Sequence, residues 1–271
     1  GGTWRQGFTG PGDVWNAWRA VTGPDSLLAW DWTGNRLTPN MARGWSTSAD
    51  GKVTTVELRR GMRWSDGHPF TADDFVFWFE DIYSNDDLVP VKTVAFQSNG
   101  ERGRVEKVDD YTVRFVFPVA NYLFAGLLAG SGGVGGPAMQ GRSGYGLYAP
   151  AHYLKQFLPK YVAEDRLNAL AKEQGFPTWK RMFFTRNDWA LNPDLPGLTP
   201  WILKTPINRP IFSLERNPYS IWVDRAGNQL PYIDNVQFTL AEDLEVINLR
   251  AIAGQYDWQA RHLQLAKLPV F

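Results

Sequence analysis

Residues 37–83 read LTPNMARGWSTSADGKVTTVELRRGMRWSDGHPFTADDFVFWFEDIY, and the reading of this stretch decides the fold. Ser48-Ala49-Asp50-Gly51 punctuates a turn, after which Val53, Val56 and Leu58 give a β-rich run that ends at Arg59-Arg60-Gly61. The pattern predicts a strand. Ser65-Asp66-Gly67 turns the chain again. Thr71, with Asp74 three residues on, makes a variant capping box and sets two acids, Asp73 and Asp74, at the positive end of a helix dipole. Apolar Phe75, Val76, Phe79, Ile82 and Tyr83 then recur at helical spacing. They predict one buried stripe and leave Asp73, Asp74, Glu80 and Asp81 for water.

The chain of 271 residues is 44% hydrophobic, enough to bury one large core or two smaller ones. Its 28 Lys and Arg balance 28 Asp and Glu with no basic stripe, which argues against a nucleic-acid or anionic-membrane surface. No run approaches the ~18 apolar residues of a membrane span. The lack of cysteine excludes disulfides, thiolate metal sites and a cysteine nucleophile. Gly1-Gly2-Thr3-Trp4-Arg5 carries no charged, apolar leader, so a mature or trimmed chain is expected.

Thirteen tryptophans are many for this length, and eight of them lie in the first 78 residues. After a short strand predicted at 3–8 and a turn at Gly10-Pro11-Gly12-Asp13, Trp15 and Trp18 sit three apart, and Trp30 and Trp32 two apart on an extended segment. Polar Asn16, Arg19, Asp31 and Asn35 lie beside them. Two readings compete. Large aromatics are mostly core, yet flat indole faces among polar groups also suit sugar rings or apolar ligand side chains.

Further on, Arg104–Val108 and Thr112–Phe117 alternate at period two about Asp109-Asp110, which predicts a hairpin. A short apolar helix is expected within 121–130, and GSGGVGGPAMQGRSGYG at 130–146 is glycine-rich enough to read as loop, without the Gly-Lys-Ser/Thr ending of a phosphate cradle. Helices are predicted at 163–174, stopped by Gly175, at 177–184, and at 242–253, stopped by Gly254. A strand is predicted at 236–240.

Enzyme chemistry needs a nucleophile with a base, a carboxylate pair or a metal cluster. The three histidines, His68, His152 and His262, are widely separated and match no metal-binding spacing. No Gly-x-Ser-x-Gly elbow is present. Turn and helix-start roles account for Asp66, Asp73 and Asp74. No catalytic residue, metal ligand or cofactor is therefore assigned.

The order of motifs resembles the family 5 extracellular solute-binding proteins of ABC importers, the oligopeptide-, dipeptide- and nickel-binding group. Its "P-x-L-A-x-S-W", "D-G-x-x-Y-x-F-x-L-R-x-G-V-x-W-x-D-G" and "P-F-T-A-x-D-V-x-F" runs correspond to Pro39–Trp45, Asp50–Gly67 and Pro69–Phe77. Asn192–Leu203 resembles the family's "N-P-x-x-x-G-T-G-P-Y-x-L", with Leu198, Thr199 and Trp201 as departures or conservative replacements, and Ile211–Pro218 resembles its "L-x-R-N-P-x-Y-W", with Tyr219 and Trp222 close to the expected aromatic positions.

The resemblance implies an α/β chain, a mixed-sheet lobe of a two-lobed periplasmic-binding-protein (Venus-flytrap) fold, with the large second lobe missing. Residues 1–46 with 187–271 are expected to form a discontinuous main subdomain, and 47–186 an inserted one. The strand at 199–204 is expected beside the first segment. The implied function is capture of an oligopeptide or oligosaccharide and its delivery to a membrane permease, without chemistry. An extracytoplasmic location, a monomer and no nucleic-acid partner go with it. In the family the segment after the first strand lines the interlobe cleft, so Trp15, Asn16, Trp18, Trp30 and Trp32 are candidate ligand contacts, with Trp258 and Arg261 near the hinge. A glycan-acting enzyme or carbohydrate-binding module built on the Trp-rich segment is the alternative, and a ligand sensor would share the fold.

Overall fold

The computed structural model describes residues 1–21, 26–130, 146–259 and 261–270. In chain order the elements are β1 (Thr3–Phe8), α1 (Val14–Val21), β2 (Leu28–Trp30), β3 (Leu37–Pro39), β4 (Ala42–Thr47) and β5 (Val53–Leu58). Then follow α2 (Ala72–Phe77), which runs into a π-helical turn Trp78–Tyr83, β6 (Gln97–Ser98), β7 (Glu101–Arg102), β8 (Arg104–Asp109), β9 (Thr112–Val116), α3 (Phe124–Leu127) and α4 (Ala151–Leu154). The remainder is α5 (Glu164–Glu173), α6 (Trp179–Arg186), β10 (Trp201–Thr205), β11 (Ile211–Arg216), β12 (Asn235–Leu240) and α7 (Leu244–Ile252). They divide into two compact units, 1–23 with 189–271, and 24–188.

The first unit is built on a four-stranded mixed sheet of order β1-β12-β11-β10. β1 runs parallel to β12, Thr3 opposite Asn235 through Phe8 opposite Leu240, and the other pairs are antiparallel. The strand beside the first segment is thus β12, and β10 lies at the far edge. Alternation puts Phe8, Phe212, Leu214, Val236 and Phe238 on one face, where they form the core with Ala17 of α1. Phe212 and Phe238 stack at 5.2 Å. Helix α1, absent from the sequence reading, places Trp15 and Asn16 on a helix.

The second unit holds an antiparallel sheet of order β4-β5-β9-β8 and the small β2–β3 and β6–β7 hairpins. The predicted strand and hairpin are β5 and β8–β9, in which Thr55 stands between Ser46 and Arg114. Much of the core is aromatic. Phe96 lies within 6.3 Å of the rings of Trp78, Tyr83, Phe115, Phe117 and Phe124.

Two acids that periodicity left for water are buried here. Asp74 accepts from Thr71 N, from Trp64 Nε1 at 3.1 Å and from Ala151 N at 3.2 Å. Asp81 accepts from Lys160 Nζ and Tyr161 Oη. Asp74, Trp78 and Asp81 recur at i, i+4 and i+7, so the two acids share one helix edge with buried Trp78. The predicted 130–146 loop lies, except at its ends, outside the described residues. Among the described residues no helix is long and apolar enough to cross a membrane.

Candidate functional site

In the first unit the site residues gather along the open edge of β1. That strand has a ladder partner only in β12, so the backbone groups of Arg5 and Gly7 point outward and need another partner. Gly254, at φ 67°, ends α7 and sends the chain back toward β1. Arg5 N then donates to Asp257 Oδ2 at 2.8 Å, and Asp257 N to Arg5 O at 3.0 Å. Two residues on, Gly7 N donates to Gln259 Oε1 at 2.9 Å and Gln259 Nε2 to Gly7 O at 3.3 Å. Side-chain carboxylate and amide thus imitate a neighbouring strand. The Arg5 guanidinium also forks onto Asp257, which holds that carboxyl below the usual range.

Asp13 is the buried node of this edge. Its carboxylate accepts from Thr9 N and Asn16 Nδ2, each at 3.2 Å, and from His262 Nε2 at 2.8 Å, while Arg261 Nη1 stands 3.5 Å away. His262 holds a left-handed backbone, φ 72°, and its carbonyl accepts from Asn248 Nδ2 at 3.0 Å. Asn16 also donates to Gly7 O at 3.1 Å, and its Oδ1 is buried without a partner. Trp258 is 41% exposed and packs on Trp4 with ring centroids 5.2 Å apart; Trp4 packs in turn on Trp201 at 6.2 Å.

In the second unit the β2–β3 hairpin carries Trp30, 49% exposed, and Trp32 in the turn, 97% exposed. Elsewhere in that unit Asp66, His68 and His152 meet. His152 Nε2 lies 2.7 Å from Asp66 Oδ2, and its buried Nδ1 has no partner. Burial lowers the His152 pKa in spite of the Asp66 carboxylate. Burial pushes Asp74 up to about 6 against three donated N–H bonds. Among the described residues no cluster of His, Asp and Glu could hold a metal ion.

The sequence-predicted residues therefore fall into two groups. Asn16 and Arg261 meet at Asp13, Trp258 lies on the neighbouring aromatic pair, and Trp15 is half-buried on α1. Trp30 and Trp32 belong to the other unit. The side chain of Trp18 lies outside the described residues. Asp13, Trp4, Gln259 and His262 were not among the sequence-predicted site residues. Gly-Pro-Gly-Asp before a helix was a visible signal for Asp13, whereas nothing local marks His262, whose partner stands 249 positions away.

The family model for bacterial extracellular solute-binding proteins, family 5, matches residues 36–268. A periplasmic alpha-galactoside-binding protein of Rhizobium meliloti is 33% identical over 81% of this chain and 28% of its own length. A probable ABC transporter-binding protein of Deinococcus radiodurans is 29% identical over 88% of this chain and 35% of its own length. Among solved structures, an oligopeptide-binding protein OppA superposes with a TM-score of 0.83 at 40% identity, over 96% of this chain and 38% of that one. The binding protein MelB of Agrobacterium fabrum, in complex with stachyose, gives 0.65 at 25% identity over 95% and 36%. The chain thus spans about a third of the length of these proteins.

Proposed function

Because this chain belongs to the bacterial extracellular solute-binding proteins of family 5, we propose that it serves an ABC importer by capturing an oligosaccharide of the α-galactoside class and releasing it unchanged. The observation that carries this reading is the alpha-galactoside-binding relative, matched over most of the chain. The exposed indoles of Trp30, Trp32 and Trp258 agree with it in chemistry. A pyranose offers a C–H-rich face to an aromatic ring and a rim of hydroxyls to planar amides and guanidinium groups. Affinity then comes from desolvation and matched hydrogen bonds, with no bond made or broken. Trp15, Asn16, Trp18, Trp258 and Arg261 are the proposed contacts of the first unit, Trp30 and Trp32 those of the second. The periplasmic relative supports an extracytoplasmic place of work, and the ABC transporter-binding relative a membrane permease as partner.

A second reading is capture of an oligopeptide, favoured by the 40% identity to the oligopeptide-binding protein. Calorimetric titration of the 271-residue chain with raffinose, stachyose and a set of tri- to pentapeptides separates the two. Saturable heat with the galactosides alone is the expected result. Saturable heat with peptides alone returns the cargo to the peptide class.

A further inference from the structure

We propose that the β2–β3 hairpin of the second unit is a carbohydrate subsite in its own right, with a pyranose ring stacked on Trp30 and Trp32 and its hydroxyls taken by the side chains of Asn35 and Arg36. The proposal rests on the oligosaccharide reading above.

Trp64 and Trp78 of the same unit are 1% and 0% exposed, whereas Trp32 is 97% exposed. Leaving an indole in water forgoes the burial that aromatic side chains ordinarily contribute. The exposure is not that of a slack loop. Asp31 N donates to Arg36 O at 2.8 Å and Gly34 N to Asp31 O at 2.9 Å, with Gly34 at φ 72°. The Asp31 carboxylate Oδ1 accepts from Thr33 Oγ1 at 2.8 Å, Asn35 N at 3.1 Å and Arg36 N at 3.3 Å. The tip is fixed before any ligand arrives, which lowers the ordering cost of binding.

Trp30 is fixed from below. Its Cζ2 lies 3.5 Å from the position a Cβ on Gly126 would take, so the ring rests against the backbone of α3. Leu28 N ties the same hairpin to that helix through Leu128 O at 3.2 Å. Leu127 of α3 and Leu123 just before it are both exposed. The backbone amides of Asn35 and Arg36 are used in the turn, while their side chains, among the described residues, have no hydrogen-bond or ion-pair partner. Two indoles, an uncommitted amide and an uncommitted guanidinium on one rigid turn match the two-sided character of a sugar ring.

The test is titration of the 271-residue chain with stachyose, read by tryptophan fluorescence and calorimetry, beside Trp32→Ala, Trp30→Ala and Gly126→Leu. Trp32→Ala removes a side chain that nothing packs on, so its urea midpoint should stay at the parent value while stachyose affinity falls at least tenfold. Gly126→Leu displaces Trp30 without touching the hairpin sequence and should weaken binding in the same direction. Unchanged stachyose affinity in Trp32→Ala and Trp30→Ala would overturn the hairpin subsite and leave the sugar reading standing. Peptide binding with no sugar binding would overturn the sugar reading, and the subsite with it. Binding of neither also overturns the subsite, since every residue assigned to it is present.

Discussion

The imidazole rings of His68 and His152 lie face to face, centroids 3.9 Å apart and planes within 5°. Asp66 bonds to His152 on one side, and Asp74 holds the same helix start through Ala151 N. His152, its pKa lowered by burial, binds a proton more weakly folded than unfolded. Its contribution is complete above about 6.5 and is lost as pH falls through the lowered value. Asp66, also lowered on balance, has the same sign.

Asp74 has the opposite sign, because its folded value is raised to about 6 from 3.8. Its contribution is complete below 3.8 and is lost as pH rises through about 6, a swing of up to about 3 kcal/mol. The two effects oppose each other in the parent as pH falls. His152→Gln should therefore gain stability relative to the parent as pH falls below about 6.5, and Asp74→Asn should lose it as pH falls from 6 to 4. Urea unfolding from pH 7 to 4 measures both. Parallel curves for all three proteins would contradict the assignment.

Asp13→Ala should destabilise the first unit by about 2–3 kcal/mol, because Thr9 N, Asn16 Nδ2 and His262 Nε2 lose a buried acceptor. Asp13→Asn, which keeps an oxygen there, should cost less. Denaturant unfolding followed by tryptophan fluorescence reports the difference. A change under about 0.5 kcal/mol for Asp13→Ala, the size of an ordinary surface substitution, would show that the node is not structural.

Asp257→Ala should speed hydrogen exchange at the Arg5 amide, and Gln259→Ala at the Gly7 amide, since each removes that amide's acceptor. The Gln6 and Phe8 amides, which alternation turns toward β12, should keep their protection in both variants. Loss of protection at all four amides together would mean that the 256–259 segment holds the whole sheet rather than its edge.

Gly7 leaves room for Tyr256, whose Oη lies 2.5 Å from where a Gly7 Cβ would stand. Gly7→Ala should cost about 1–3 kcal/mol by overpacking. Tyr256→Phe should be close to neutral, because the buried hydroxyl has no hydrogen-bond partner to lose. Thermal or urea unfolding of the two variants checks the pair. A large loss in Tyr256→Phe would show that the hydroxyl is satisfied in solution.

Local pattern carried most of the strands. Period-two alternation in β5, β8 and β9, and the glycine stops at 175 and 254, place elements close to where they stand. The same reasoning failed where a distant segment set the environment. Asp74 and Asp81 look solvated on a helical wheel, yet Ala151 N, Lys160 and Tyr161, some eighty residues on, cover them. Asn16 donates to Gly7 O and to Asp13, two partners that its local sequence does not mark. The split of the tryptophans between buried Trp64 and Trp78 and exposed Trp30 and Trp32 depends on tertiary packing, which residue type does not encode.

The most direct measurement is native mass spectrometry of the 271-residue chain with stachyose, followed by release and mass analysis of the sugar. The account predicts a saturable one-to-one complex and a tetrasaccharide recovered at its original mass. Shortened sugar would contradict capture without chemistry, and a complex formed with oligopeptides but never with stachyose would contradict the α-galactoside class.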